Sequence, residues 1–411
     1  MQISNQILRL QFIQPKGGNR MDRKKSFLIT NFAYGTGPYL RTTELAIAFN
    51  DELERYGFPR FGIIVPHVYG EKQRRIMLEE FSGFLEKHPD ELFLDERLGA
   101  FLKKIFYGEN TYEEALMKWA EVVEDVSVEI QEYLKGDVKA RKFSGDEKII
   151  AGKNILVELN RSPRISYGLP SSYFTSFAYT EQILRNAAGI GGDIAIGREI
   201  LLRGAEVARK IENEQTKHCI AFPATFSARK DCQPWRKKEI LVPPIAPSPS
   251  PNYEKIKEGI YVTATGIPGL ERLYSEVKNL GLGIYSNDVK AVPGSIFALP
   301  WIIPNKNIIF QFARTGWGSI WTSILSGTPL VAPDFDAYDD PEIYFNNHLI
   351  EELGVGIVYR GQPLSEIYEQ AGEVKIKSRV YTQQILEKWG TLDGTAFSGK
   401  IFARHFIGTI R

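Results

Sequence analysis

The stretch that decides the fold is Arg314-Thr315-Gly316-Trp317-Gly318-Ser319-Ile320-Trp321-Thr322-Ser323-Ile324-Leu325-Ser326-Gly327-Thr328-Pro329. It follows an apolar run over residues 307–312 and precedes another over 330–332. The order is buried strand, small-residue turn, helix, glycine stop, buried strand. That is the grammar of a parallel α/β sheet. A helix that opens on such a turn leaves backbone N–H groups unpaired, and its dipole is positive there. The turn is therefore a ready anion site, and glycines let the backbone approach a phosphate closely. Ser319 either caps the helix or bonds a phosphate oxygen.

Working outward, the same grammar repeats. Residues 259–263 and 281–286 read as strands, with Thr265-Gly266 as a turn and a helix over about 268–280. A helix over 341–353 and a strand over 356–359 follow. Upstream, residues 26–31 read as a strand and end in the turn Gly35-Thr36-Gly37-Pro38. Helical spacing over 41–55 and a strand over 61–66 complete a βαβ unit. Residues 71–135 are rich in Glu, Lys and Leu and read as a helical insertion. A strand broken by a turn is expected over 150–159, and late strands over 219–223 and 239–243. Pro243-Pro244-Ile245-Ala246-Pro247-Ser248-Pro249-Ser250-Pro251 cannot lie inside a central strand or helix and marks a linker. The expected organisation is an N-terminal extension (1–20), a first domain (21–247) carrying the insertion, a second domain (248–390) and a last helix (391–411).

Bulk properties bound the function. The chain has 411 residues, enough for two domains. Lys and Arg number 51 against 50 Asp and Glu, a net charge of +1, which gives no electrostatic case for nucleic acid. The basic cluster Arg229, Lys230, Arg236, Lys237, Lys238 is at most a local patch. Two cysteines, Cys219 and Cys232, are too few for a disulfide framework and suit a reduced cytoplasmic compartment. No apolar run approaches the roughly 20 residues of a spanning helix, and no signal-peptide pattern opens the chain.

The 314–329 segment resembles the sugar-donor signature of the UDP-glycosyltransferase and MurG-like families. Gly316, Trp317, Gly318, Ser319, Gly327 and Pro329 fall in register with it. Glu342 and Asn346 match the acidic residue and the Asn of the family's (Asp/Glu)-Gln-x-x-Asn box, and Leu353-Gly354-Val355-Gly356 matches its ending. The resemblance implies the GT-B architecture, with two Rossmann-like domains facing across a cleft and the last helix returning to the first domain. It implies a metal-independent glycosyltransferase with a nucleotide-sugar donor and no cofactor. The acceptor is unidentified. Gly316, Gly318, Ser319, Thr265 and Gly266 would hold the diphosphate, and Glu342 the donor sugar.

Departures from the pattern matter. Arg314 stands where the family has a phosphate-binding His; a guanidinium suits that role. Thr322 and Ile343 replace polar donor contacts. The loop of Gly35, Thr36, Gly37 and Arg41 resembles the family's acceptor loop, but Pro38 occupies the position of the basic His of inverting members and cannot take a proton. His67, after the second strand, and Glu158, in a later one, are the alternative candidates for the base. Arg161 and Arg164 in a strand-to-helix loop suit an anionic acceptor, or simply a solvated loop. The aromatic run Tyr173-Phe174-x-x-Phe177-x-Tyr179 suits a ring-bearing partner or core packing. Gly189-Ile190-Gly191-Gly192 follows a helix and so is not a dinucleotide fingerprint. Asp334-Phe335-Asp336 has a metal-binding look but sits on a donor-loop edge, and the five histidines lack zinc-like spacing. A non-catalytic sugar-nucleotide-binding protein and a nucleotide-sugar epimerase are the competing readings.

Overall fold

The computed structural model describes residues 25–32, 35–106, 111–222, 236–246, 249–263 and 270–410. The expected N-terminal extension, Cys232, and the Thr265-Gly266 turn lie outside them.

The first half of the chain runs β1 (Phe27–Phe32), α1 (Thr36–Arg55), β2 (Gly62–Pro66), α2 (Gly70–Glu80), α3 (Ser82–Lys87), β3 (Leu92–Asp95), α4 (Glu96–Phe106), α5 (Tyr112–Lys135), β4 (Asp137–Lys142), β5 (Glu147–Ala151), β6 (Ile155–Arg161), β7 (Ser171–Ser176), α6 (Thr180–Ile190), α7 (Arg198–Glu214), β8 (Lys217–Ala221) and β9 (Glu239–Val242). The second half runs β10 (Gly259–Val262), α8 (Glu271–Asn279), β11 (Gly283–Ser286), β12 (Ile296–Phe297), β13 (Ile308–Phe312), α9 (Trp317–Ser326), β14 (Leu330–Pro333), α10 (Pro341–Leu353), β15 (Gly356–Tyr359), α11 (Leu364–Trp389) and α12 (Gly394–Ile410).

Two sheets result. The first has the order β5-β4-β3-β2-β1-β6-β7-β8-β9, the second β12-β11-β10-β13-β14-β15. All pairings are parallel except those of β3 with β4 and β4 with β5. Strand order reverses between β1 and β6 in the first sheet and between β10 and β13 in the second. Such switch points, at the carboxyl ends of the strands, are where open α/β sheets bind ligands. β1 is buried at every residue, as a central strand covered on both faces must be.

The insertion over 71–135 is not purely helical. Leu92-Phe93-Leu94-Asp95 forms β3 and pairs with β2 in register Ile63 to Leu92. Its run of three apolar residues is too short to stand out from the helical spacing around it. The expected strand over 150–159 divides into β5 and β6, because the chain at Gly152 passes against the end of α5. A Cβ there would stand 1.7 Å from the Leu134 carbonyl oxygen. The aromatic run is core: Tyr173, Phe174, Phe177 and Tyr179 are all buried.

α12 crosses back to α1. Phe406 packs on Phe49 and Phe61, Phe402 stacks on Tyr173 at 5.0 Å, and Arg404 Nε donates to Glu52 at 2.7 Å. The close approach needs Gly399, where a Cβ would lie 2.8 Å from the Ala48 Cβ.

Candidate functional site

The second-domain side of the cleft is built at the end of β13. Gly316 is the residue before α9, and Ser319 N and Ile320 N both donate to its carbonyl, at 2.9 and 3.1 Å. No side chain caps this helix, so Ser319 is not its cap. Nothing lies within 4 Å of the positions a Cβ would take at Gly316 or Gly318. The helix start is therefore open on that side. α10 fixes the turn from behind: Asn346 Nδ2 donates to the Thr315 carbonyl at 2.8 Å, and Thr315 Oγ1 to Asn347 at 2.7 Å. Asn346 thus holds the turn in shape. Gly327 ends α9 with φ 69°, a conformation that favours glycine.

Two charged side chains flank the opening. Arg314 is one-third exposed and pairs with Asp339. Glu342 lies in the first turn of α10, accepts a hydrogen bond from Trp317, and faces Asp340. Asp340 caps that helix by accepting from Glu342 N at 2.9 Å. Burial, and then the neighbouring Asp340 charge, raise Glu342 to about 8. Burial also raises Asp340. Two carboxyl groups in one dry site resist carrying two negative charges together.

The first-domain side is built from the ends of β1, β2 and β6. Gly35 (φ 110°) makes the turn into α1, and its N–H donates to the Tyr69 hydroxyl at 2.7 Å. α1 begins at Thr36, so Gly37 and Pro38 are in its first turn. Arg41 on that helix pairs with Glu44 and, at 3.5 Å, with Glu80. β6 ends at Arg161, and Arg161 and Arg164 both reach the field of Glu342.

The domains meet around this point. Phe177 stacks on Trp317 with centroids 4.9 Å apart and an interplanar angle of 10°. Ala195 N donates to the Ala337 carbonyl at 2.8 Å. Tyr344 donates to Asp193 at 3.3 Å, and the Tyr112 hydroxyl bonds Asp340.

Both candidate bases are engaged by protein groups. Glu158 is fully buried, and its carboxylate accepts from Asn31 at 2.8 Å, Tyr167 N at 3.1 Å and Ser172 at 3.1 Å. Burial raises it to about 7 and leaves it without exposure to solvent. It braces β1, β6 and β7. His67 stands at the end of β2, with Nε2 2.7 Å from the Gly70 carbonyl oxygen and Nδ1 3.9 Å from Glu96. Glu96 begins α4 after β3. Of the other candidate residues, Asp334 and Asp336 each accept from the backbone of their own loop. Among the described residues no three His, Cys, Asp or Glu side chains form a metal-holding group. Nor is any described helix long and apolar enough to cross a membrane.

The structure brings together Arg314, Gly316, Gly318, Ser319 and Glu342, and sets Arg161 and Arg164 opposite. Sequence reading missed Asp339, Asp340, Tyr112 and the pairing of Phe177 with Trp317. Asp340-Pro341 is a legible helix start, but no local pattern says what faces it across a cleft.

No family model and no curated protein matches the sequence. Solved structures do. TcCGT1 in complex with UDP is similar over 94% of this chain and 100% of its own, at 12% identity and a TM-score of 0.60. The fold is GT-B. A UDP-glucosyltransferase from Polygonum tinctorium covers 93% of this chain and 98% of its own, at 11% identity and TM-score 0.58. Phytolacca americana UGT2, complexed with UDP-2fluoro-glucose and pterostilbene, covers 93% and 100%, at 9% identity and TM-score 0.57. The divergent GT-B glycosyltransferase pattern read in residues 314–358 thus lies on the matching fold.

Proposed function

We propose that the chain is a glycosyltransferase that moves a sugar from a nucleotide-diphosphate donor to an acceptor hydroxyl. The observation that carries this reading is the open start of α9, flanked by Arg314 and Glu342 and facing the switch point of the first sheet. The likeness to structures that hold UDP or UDP-2fluoro-glucose supports it. In this reading the N–H groups of Trp317 and Gly318, at the first two positions of α9, and the Arg314 guanidinium bind the diphosphate. They stabilise its charge as it leaves with the electron pair of the anomeric bond. No metal is needed for that step. Glu342 takes hydroxyl groups of the donor sugar. The acceptor hydroxyl oxygen attacks the anomeric carbon from the first-domain side in one displacement, which inverts that centre, and its proton passes to solvent or to the departing diphosphate.

Pro38 at the family's base position, with Glu158 and His67 turned to structural work, favours a second reading: a protein that binds nucleotide-sugars without transferring them. One experiment separates the two. Melting temperature is followed with UDP-, GDP-, ADP- and dTDP-sugars, and sugar release is followed in parallel. The transferase reading predicts a shift with at least one donor, together with hydrolysis or transfer of its sugar. A shift without turnover selects the binding protein, and no shift with any donor removes both.

A further inference from the structure

The end of β6 and the loop after it, which leads to β7 and not to the expected helix, carry Arg161 and Arg164 to the first-domain wall of the cleft. Between them, Ser162 has φ 51°, the one left-handed non-glycine residue among those described. Such conformations persist only where the surroundings impose them, and here Ser162 Oγ is bonded to Ser176 Oγ at 2.8 Å. The turn lets two arginines three positions apart address the same groups. Both act on Glu342, and Arg164 also acts on Asp340.

Each arginine is held from behind. Arg161 Nη2 donates to the Ile245 carbonyl at 3.2 Å, and its guanidinium lies 5.5 Å from the Phe177 ring centre. The Arg164 carbonyl accepts from Trp119 Nε1 at 2.6 Å, and its guanidinium lies 5.6 Å from that ring. Arg41, on α1, is near enough to Arg161 to repel it. Burial and this repulsion push Arg161 down to about 10. Of the acids that face the cluster, Glu44, Asp340 and Glu342 are raised by burial and so resist ionising, while Glu80 pairs with Arg41 at 3.5 Å. Arg161 and Arg164 face Asp340 and Glu342, acids that resist ionising, and a further anion would stabilise them.

We infer that Arg161 and Arg164 form an oxyanion subsite at the β1/β6 switch point, taking a carboxylate or phosphate group of the acceptor or the donor diphosphate. Planar guanidinium groups bind such oxyanions in bidentate fashion. The assignment of the anion to acceptor or donor rests on the glycosyltransferase reading; the subsite itself does not.

The test is calorimetric titration of the full chain with inorganic phosphate, alone and at saturating UDP, and with UDP itself. Arg161→Gln, Arg164→Gln and the charge-preserving Arg164→Lys are compared, with melting curves to show that each variant folds. Each Gln variant is expected to weaken phosphate binding about tenfold or more, as loss of a charge-assisted hydrogen bond should. The Lys variant should retain part of it. Phosphate that still binds beside saturating UDP, with UDP affinity unchanged in the variants, assigns the subsite to the acceptor. Phosphate displaced by UDP, with UDP affinity reduced equally, assigns it to the donor. If the wild-type chain binds no phosphate at tens of millimolar, or folded Gln variants bind phosphate and UDP as the wild type does, the subsite is overturned. A chain that binds phosphate through these arginines but binds no nucleotide keeps the subsite and loses the glycosyltransferase reading.

Discussion

At Arg314 the chain places a permanent cation beside the start of α9, and Asp339 steadies it from the loop before α10. A charged hydrogen bond is worth about 1.5–3 kcal/mol. Arg314→Ala is therefore expected to weaken nucleotide binding by about 10- to 100-fold, read by calorimetry. Glu342 makes a second residue-level prediction. Its folded-state pKa is raised from 4.5 to about 8. A raised pKa means that its contribution is fully present below the unfolded value and is lost as pH rises through the folded one. Ionisation in the buried cleft then costs stability across that window. Glu342→Gln cannot ionise, so its melting temperature should gain on that of the wild type between pH 5 and pH 8.5. A constant difference across that range would show that Glu342 is not held neutral in the cleft.

Among the elements, the contact of α12 with α1 is the most exacting. Gly399→Val adds a branched side chain where even a Cβ stands 2.9 Å from the Phe49 nitrogen. Overpacking of this kind costs about 1–3 kcal/mol, to be measured by urea unfolding; an unchanged midpoint would mean that α12 is not locked in place. The elements of the second domain were largely legible in the sequence. α10 runs from Pro341 to Leu353 and β15 from Gly356 to Tyr359, as Pro at the helix start and glycine after its end lead one to expect. β3 and the β4–β5 hairpin were not legible. Three apolar residues in β3 are too short a run to stand out, and β4, Asp137-Val138-Lys139-Ala140-Arg141-Lys142, offers only two apolar residues in a strand between β3 and the edge strand β5. Their pairing with distant strands decides them. The site divides in the same way. Gly316, Gly318, Arg314 and Glu342 declare themselves locally. The burial of Glu158 and the approach of His67 to Glu96 are set by tertiary neighbours, so neither environment was legible in the sequence.

In the whole molecule, two switch points face each other, and the domains touch through Phe177 on Trp317. An aromatic pair of this kind contributes about 0.5–1.5 kcal/mol beyond its buried area. Phe177→Ala is expected to loosen the closed arrangement and raise the radius of gyration in small-angle scattering. An unchanged radius would assign closure to the other contacts between the domains. Charge is arranged at the same scale, with Arg41, Arg161 and Arg164 on one wall and Asp340 and Glu342 on the other, so ligand binding and domain closure draw on the same groups. The central claim is that a nucleotide diphosphate lies against the open start of α9. It is tested most directly at Gly318, where a Cβ would stand more than 4 Å from any atom beyond its chain neighbours and its own helix backbone, on the side assigned to the ligand. Melting curves of the wild type and Gly318→Val with and without UDP-, GDP-, ADP- and dTDP-sugars give the answer. The account predicts similar melting temperatures without ligand, a rise for the wild type with at least one donor, and loss of that rise in the variant. A rise that survives in Gly318→Val, or none with any donor in the wild type, would contradict it.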